Sequence, residues 1–301
     1  MRGAIAAAVS VDIAFGEPLS SFHPTVAMGR VVSAGRSRRT TNAPRRSLVE
    51  GAMTVAIGAI ATGVAAAFVH GMVERCPRRV RDLAEGVALK PALSVRDLLR
   101  AAKSVESALE RGRLRRAREL LSWHLVSRDT SRLSASGVAA AAIESLAENF
   151  NDGLVAPLFW YRAGGLPAAY VFRFINTADA MIGYRTSALE WFGKTAARLD
   201  DLLAFVPARL SAALLITGAP LVGESGGQAL LRALMDAENT ASPNAGWPMA
   251  AMAGALGVRL EKAGHYVLND EARPPETADI RRARHVVLMA SGLATLLAEA
   301  M

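Results

Sequence analysis

The chain has 301 residues, 51% of them hydrophobic, a formal net charge of +8 and a single cysteine. So much apolar material exceeds the needs of one soluble core, which makes a membrane protein the leading class. Cys76 alone excludes an internal disulfide framework or a cysteine-based metal site and fits a reducing compartment, while the 6% of aromatics, none interleaved with the arginines, argues against nucleic-acid binding.

The first apolar run, Ala4 to Val11 after Arg2, resembles a short signal peptide, but Asp12 interrupts it and no small-residue cleavage site follows. A polar block comes next: Asp12, Gly16-Glu17-Pro18, His23-Pro24 and Met28-Gly29-Arg30. A lone histidine is more often structural than catalytic, although a His-Pro turn flanked by acids at the edge of an apolar segment suits a membrane-surface site. Arg30 to Arg46 then carries six arginines and no acid.

Gly51 to Val73 is 23 residues free of Asp, Glu, Lys and Arg. At the helical rise it reaches roughly 34 Å, enough to cross the hydrocarbon core. Its glycines, Gly51, Gly58, Gly63 and Gly71, predict close packing against another helix. From Arg75 to Glu119 there are 13 basic and 6 acidic side chains, and Val95, Leu98, Leu99, Ala102, Val105 and Leu109 recur at helical spacing. Arg75 to Trp123 therefore reads as one or two amphipathic helices, a soluble or membrane-surface insert whose Arg-rich face meets water or anionic headgroups.

The densest acidic cluster runs from Glu144 to Asp152, after Arg128-Asp129-Thr130. If Ser136 to Asn149 is helical, Glu144 and Glu148 share a face and Asp152 continues it, so three oxygen ligands converge as Mg²⁺ requires. A second cluster comprises Asn176, Asp179, Arg185, Lys194, Arg198, Asp200 and Asp201, with Arg209 beyond. Gly193-Lys194-Thr195 is not a Walker A loop, because Ala188 stands where the motif needs glycine and no strand precedes it. These cations and carboxylates suit phosphates and a divalent ion, with ordinary salt bridging as the bland alternative.

Further apolar tracts are interrupted: Gly153 to Ile175 by Arg162 and Arg173, Leu202 to Gly223 by Arg209 and two prolines, and Ala245 to Val258 by Pro248. Val286 to Ala298 is clean but short. Charges in such segments should face a bundle interior or aqueous cavity, and the number of spans lies between two and five. Helix-start and turn chemistry accounts for much of Ser242 to Pro248 and Lys262 to Tyr266. Strand-type alternation is nearly absent, which predicts an all-α fold, a polytopic membrane helical bundle in a single domain over residues 1–301 with the Arg-rich insert at 75–123.

In order along the chain stand Asp12-(x)3-Gly16-Glu17-Pro18-(x)4-His23-Pro24-(x)4-Gly29-Arg30, Arg128-Asp129-Thr130, and Glu144-Ser145-(x)2-Glu148-Asn149-(x)2-Asp152-Gly153-(x)3-Pro157. Asn176-Thr177-(x)5-Gly183-Tyr184, Arg198-Leu199-Asp200-Asp201-(x)5-Pro207-Ala208-Arg209 and Pro243-Asn244-Ala245-Gly246-Trp247-Pro248 follow. This series resembles the CobD/CbiB family, the adenosylcobinamide-phosphate synthases of cobalamin biosynthesis, over roughly two-thirds of the chain, a combination more specific than any one motif. Glu17 stands where Asp is usual and Thr25 where an aliphatic is usual.

The resemblance implies a multi-pass cell-membrane enzyme. It would join a carboxylate of adenosylcobyric acid to (R)-1-aminopropan-2-yl phosphate, or a related phosphorylated amino alcohol, using ATP and Mg²⁺. Its partners would be the corrinoid, the phosphorylated amine, the lipid membrane and other membrane-bound enzymes of cobalamin assembly, with no nucleic acid. On this reading Glu144, Glu148 and Asp152 hold Mg²⁺-ATP. Arg128, Arg185, Lys194, Arg198 and Arg209, with Asn149, Asn176 and His23, hold phosphates and substrate, and Asp179, Asp200 or Asp201 serves a second metal or the amine. Two other classes stay open: an AmpE-like regulatory or sensory relative without synthase activity, and a transporter whose intramembrane charges form an ion path.

Overall fold

A computed structural model describes residues 3–17, 23–40, 43–184 and 186–301. The fold is helical as expected, apart from one short antiparallel hairpin. The chain divides into two compact units, each assembled from separate stretches of sequence. The first comprises Met1–Ser94, Ala156–Ala204 and Ala298–Met301, the second Val95–Val155 and Phe205–Leu297. The stretch read from sequence as a single insert is therefore divided between them, its amphipathic pattern belonging to three helices and not one or two.

The first unit contains α1 (Ala4–Phe15), α2 (Pro24–Ser37), α3 (Pro44–Glu74), α4 (Arg78–Leu89), α8 (Ala156–Ile182) and α9 (Lys194–Leu203). Helix α3 starts on Pro44, whose missing N–H costs nothing at a first helical position. Its close packing follows the glycines in part. A Cβ at Gly51 would sit 1.9 Å from the Phe192 carbonyl oxygen and one at Gly58 2.0 Å from the Phe174 ring, whereas Gly71 has open space. The core between α2, α3, α8 and α9 is built from Met28, Val32, Val55, Phe174, Ile182 and Phe192.

On its other side α3 exposes Met53, Ile57, Ile60, Val64 and Phe68. Leaving such side chains in water costs roughly 2 kcal/mol apiece, so an apolar surrounding is their favourable one. Two stretches, Pro44–Glu74 and Phe205–Val222, are long and apolar enough to cross a membrane. Helix α8 is broken internally where Gly165 adopts φ +68°, two residues before Pro167, a break separate from the charges Arg162 and Arg173 that interrupt its apolar tract.

The second unit holds α5 (Val95–Glu110), α6 (Leu114–His124), α7 (Ala135–Phe150), α10 (Phe205–Gly218), α11 (Gly226–Asp236), α12 (Gly246–Leu256), strands β1 (Leu260–Lys262) and β2 (Tyr266–Leu268), and most of α13 (Thr277–Ala300). Every residue of α12 except the half-buried Trp247 is buried, as its lack of charge requires, and it packs on α11 where Gly254 meets the Gln228 carbonyl. Helix α7 opens at Ser134, whose hydroxyl accepts from the Gly137 N–H at 3.0 Å. It ends in a single π turn, Asn151–Val155, at the Asn151-Asp152-Gly153 stretch.

Candidate functional site

Three polar constellations emerge, one in the second unit and two in the first. In the second unit the loop before α7 is fixed by its own side chains. Asp129 accepts from the Ser131 N–H (2.9 Å) and hydroxyl (3.0 Å), which hold its carboxyl below the ordinary range, and buried Thr130 donates to the Arg118 carbonyl (2.9 Å). With two members of the Arg-Asp-Thr block anchoring the turn, the third is presented to α7: Arg128 Nη2 reaches Glu144 Oε2 at 3.3 Å.

Glu144 is 4% exposed, and its second oxygen, Oε1, is buried with no hydrogen-bond partner. Burial drives its pKa up to about 7, against the opposing pull of Arg128, the Tyr266 hydroxyl and Lys262. Tyr266 in turn is raised by its own burial and by the charges of Glu144 and Glu148, so β2 sets a phenol against both acids. Beside this pair opens a cleft of about 810 Å³ lined by Arg128, Arg132, Gly137, Ala140, Arg259 and Lys262, among others. Gly137 and Ala140 lie on the face of α7 that Glu144 continues one turn later. Tyr266 and Lys262 were absent from the sequence-derived set. Their segment reads as a turn closing a helix, whereas it is a hairpin bent at Gly264 (φ +73°).

Other members of the acidic block have duties of their own. The Asn149 amide nitrogen donates to Ser145 twice, at 2.9 Å to the carbonyl and 3.0 Å to the hydroxyl. Asn151 ties Asp152 (2.8 Å) and accepts from Ser211 (3.0 Å) across the π turn. Among the described residues no three His, Cys, Asp or Glu side chains come together as a metal site. The three-carboxylate set of Glu144, Glu148 and Asp152 is thus not assembled, because the π turn ends the α-helical register that would have carried Asp152 along the same face. A divalent ion beside Glu144 and Glu148 would need phosphate oxygens to complete its shell. Arg209, on α10, stacks on Phe205 (3.6 Å) and reaches Trp247 (5.0 Å) and Asn244 Oδ1 (3.2 Å), which joins two of the sequence blocks.

In the first unit, Lys194, Ala197, Arg198 and Asp201 fall on one face of α9 and, with Gly183 and Glu190, line a pocket of about 240 Å³. Lys194 Nζ lies 4.2 Å over the Trp191 ring, and Asn176 Nδ2 donates to Asp200 Oδ1 at 3.2 Å. Asp179 abuts Gly183 so closely that a Cβ there would fall 1.9 Å from Oδ1. A Cβ at Gly193 would sit 1.7 Å from the Ile182 carbonyl oxygen, so the Gly-Lys-Thr sequence reflects a backbone crossing at the start of α9. Arg185 lies outside the described residues.

The N-terminal block forms the third constellation. Asp12, 1% exposed, faces Lys90 Nζ at 3.4 Å, and the same ammonium is 3.6 Å from Glu17 Oε2. Burial pushes Glu17 up, but its hydrogen bond to His23 and the charges of Lys90, His23 and Arg173 outweigh it and hold the carboxyl below its ordinary value. His23 Nε2 is paired with Glu17, and Nδ1 accepts from the Thr25 N–H at 3.1 Å as the cap of α2. Both ring nitrogens of His23 are thus engaged within this block. Lys90 escaped the sequence reading because it lies in the motif-free stretch. The one signal was a lone cation inside the apolar run Val87 to Leu93.

A family model described as CobD/Cbib protein matches residues 5–287. The chain is similar to proteins named "Cobalamin biosynthesis protein CobD" from three organisms. The Dehalococcoides mccartyi protein is 40% identical over 274 residues, 90% of this chain and 88% of that one. The Geobacter metallireducens protein is 39% identical over 275 residues, 89% and 83% of the two chains. The Brucella melitensis protein is 38% identical over 247 residues, 81% and 75%. No solved structure matches.

Proposed function

The chain belongs to the CobD/CbiB family of cobalamin biosynthesis, and from that premise we propose that it is the membrane-embedded, multi-pass synthase that joins adenosylcobyric acid to a phosphorylated amino alcohol at the expense of ATP. The observation that carries this reading is Glu144: a buried carboxyl with a near-neutral pKa, one oxygen on Arg128 and the other unpartnered, beside a cation-lined cleft. The α3 and α10 stretches, with their apolar lengths, are the proposed spans.

Amide formation from a carboxylate needs a leaving group. The terminal phosphoryl group of ATP passes to a carboxylate oxygen of the corrinoid, releasing ADP. The unprotonated amine attacks the acyl carbon, and inorganic phosphate departs with the electron pair of the broken C–O bond. The proton lost by nitrogen passes to Glu144, whose pKa suits it to accept a proton near neutrality. Arg128, Lys262 and Arg259 neutralise phosphate charge in the cleft. Mg²⁺ would supply further charge neutralisation, with Glu148 as the available carboxylate donor. In the first unit, taken by itself, the pocket formed by Lys194, Arg198 and Asp201 has mixed sign, with cations that suit a phosphate and a carboxylate that suits an ammonium. Asp179, Asp200 and Asn176 support that pocket.

The test uses purified protein with adenosylcobyric acid, the phosphorylated amine, ATP and Mg²⁺. We expect ADP release to depend on both organic substrates, the amide to appear by mass spectrometry, and Glu144→Gln to abolish both. ADP release that never depends on the two substrates, or full synthase activity in Glu144→Gln, would overturn the reading.

A further inference from the structure

The two acids near the end of α5 are engaged by another helix. Glu106, buried, is held by Arg281 at 2.8 Å and Arg284 at 2.7 Å from α13, and Glu110 pairs with Arg281 as well. The two are thereby committed to α13. The adjoining face of α5, with Arg100, Lys103, Ser104 and Ser107 at successive helical turns, lines a cleft of about 510 Å³ against α6 and the tight turn at Gly112. Arg111, Arg113 and Arg116 complete its cationic rim, and no acidic side chain lines it.

Charge matching narrows what fits. Arg116 is answered by Glu119 at 3.1 Å, and Arg100 by Asp97 at 4.0 Å. Lys103, Arg111 and Arg113 form no ion pair among the described residues. Three unanswered cations line one concavity, and a multivalent anion is the ligand that would answer them together. The Ser104 hydroxyl donates to the Arg100 carbonyl at 3.0 Å, which leaves two guanidinium forks, one ammonium and the Ser107 hydroxyl, a set that matches the oxygens of a phosphate group better than those of a lone carboxylate.

We propose that the α5–α6 cleft is a binding site for a doubly or triply charged phosphate group, a phosphomonoester or a diphosphate. The group is carried either by a soluble ligand or by an anionic lipid headgroup. The proposal rests on this cleft alone and does not depend on the synthase reading.

Arginine-specific modification by phenylglyoxal, read peptide by peptide in the purified full chain by mass spectrometry, tests it. Pyrophosphate at about ten times its Kd should slow modification of Arg111 and Arg113 about tenfold, by occupancy. Arg79, exposed on α4, should keep its rate. Vesicles containing phosphatidic acid are compared with phosphatidylcholine vesicles in a second arm. Protection by pyrophosphate assigns the site to a soluble phosphate, and protection by phosphatidic acid alone assigns it to a lipid headgroup. In Lys103→Gln/Arg113→Gln, protection of Arg111 should disappear. Equal modification of Arg111, Arg113 and Arg79 under every condition, or full protection of Arg111 in that double variant, would overturn the proposal.

Discussion

Glu144 and Arg128 meet at 3.3 Å through only one of the two carboxylate oxygens, and the other is buried without a partner. One guanidinium is thus too little to offset the desolvation of the acid, whose pKa stands at about 7 against an ordinary 4.5. Between those two values the folded protein binds a proton that the unfolded chain has released. Stability therefore falls as pH rises through that window, the reverse of a salt-bridged acid, by up to about 3 kcal/mol. Thermal unfolding from pH 4.5 to 8 should show this decline in the parent and a flatter profile in Glu144→Gln. Identical slopes would show that Glu144 is ionised throughout.

The same pair controls activity. Synthase activity should rise through pH 7 as Glu144 loses its proton. Arg128→Gln removes the main opposing charge, so the rising limb should move to higher pH and the rate at pH 7 should fall by about 10² or more. Arg128→Lys retains the charge and should leave the limb closer to that of the parent. If the limb stays in place in Arg128→Gln while the rate drops, Arg128 acts on substrate and not through Glu144.

How far these features can be read from sequence depends on whether their cause is local. Helix α7 was expected over 136–149 and spans Ala135–Phe150, because its cap, periodicity and lack of breakers lie within the segment. The α9 face of Lys194, Arg198 and Asp201 is likewise a matter of helical spacing. The π turn is different: Asn151 is bound by Ser211, 60 positions away, and no local pattern announces that bond. Tyr266 and Lys262 reach Glu144 on a hairpin whose strands are three residues each, too short for alternation to register. Lys90 pairs with Asp12 across 78 positions, a contact visible only once α1 and α4 are packed.

The backbone crossing beside the α9 pocket makes a second kind of prediction. A methyl group at Gly193 or Gly183 must displace a main-chain carbonyl or the Asp179 carboxylate, so Gly193→Ala and Gly183→Ala should each destabilise by about 2–4 kcal/mol. Gly71→Ala meets nothing within 4 Å and gains helix propensity, so it should be neutral or slightly stabilising. Unfolding midpoints in detergent would decide it, and equal shifts at all three positions would refute the close approach.

Lys90 tests whether the N-terminal block is a coupled unit. Its ammonium is buried with Asp12 and close to Glu17, so Lys90→Met should cost about 3–5 kcal/mol by removing one partner of a buried pair. Adding Asp12→Asn should recover part of that loss, with a coupling of at least ~1 kcal/mol in a double-mutant cycle. Strict additivity would mean that the two charges are stabilised by different partners.

The outward stripe of α3 sets the last expectation. Ile60 stands near the middle of Pro44–Glu74 and is 66% exposed, whereas Val55, on the packed side, is 1% exposed. If lipid covers the stripe, Ile60→Lys places a charge near the bilayer centre, at a cost of about 2.5–3.5 kcal/mol for insertion. The fraction of expressed protein recovered in membranes should fall accordingly, while Ile60→Leu should leave it unchanged. Val55→Leu overfills a packed site and should lower the unfolding midpoint without altering membrane recovery. Undiminished membrane recovery of Ile60→Lys would remove the case for α3 as a span, because the apolar stripe would then have to be covered by protein.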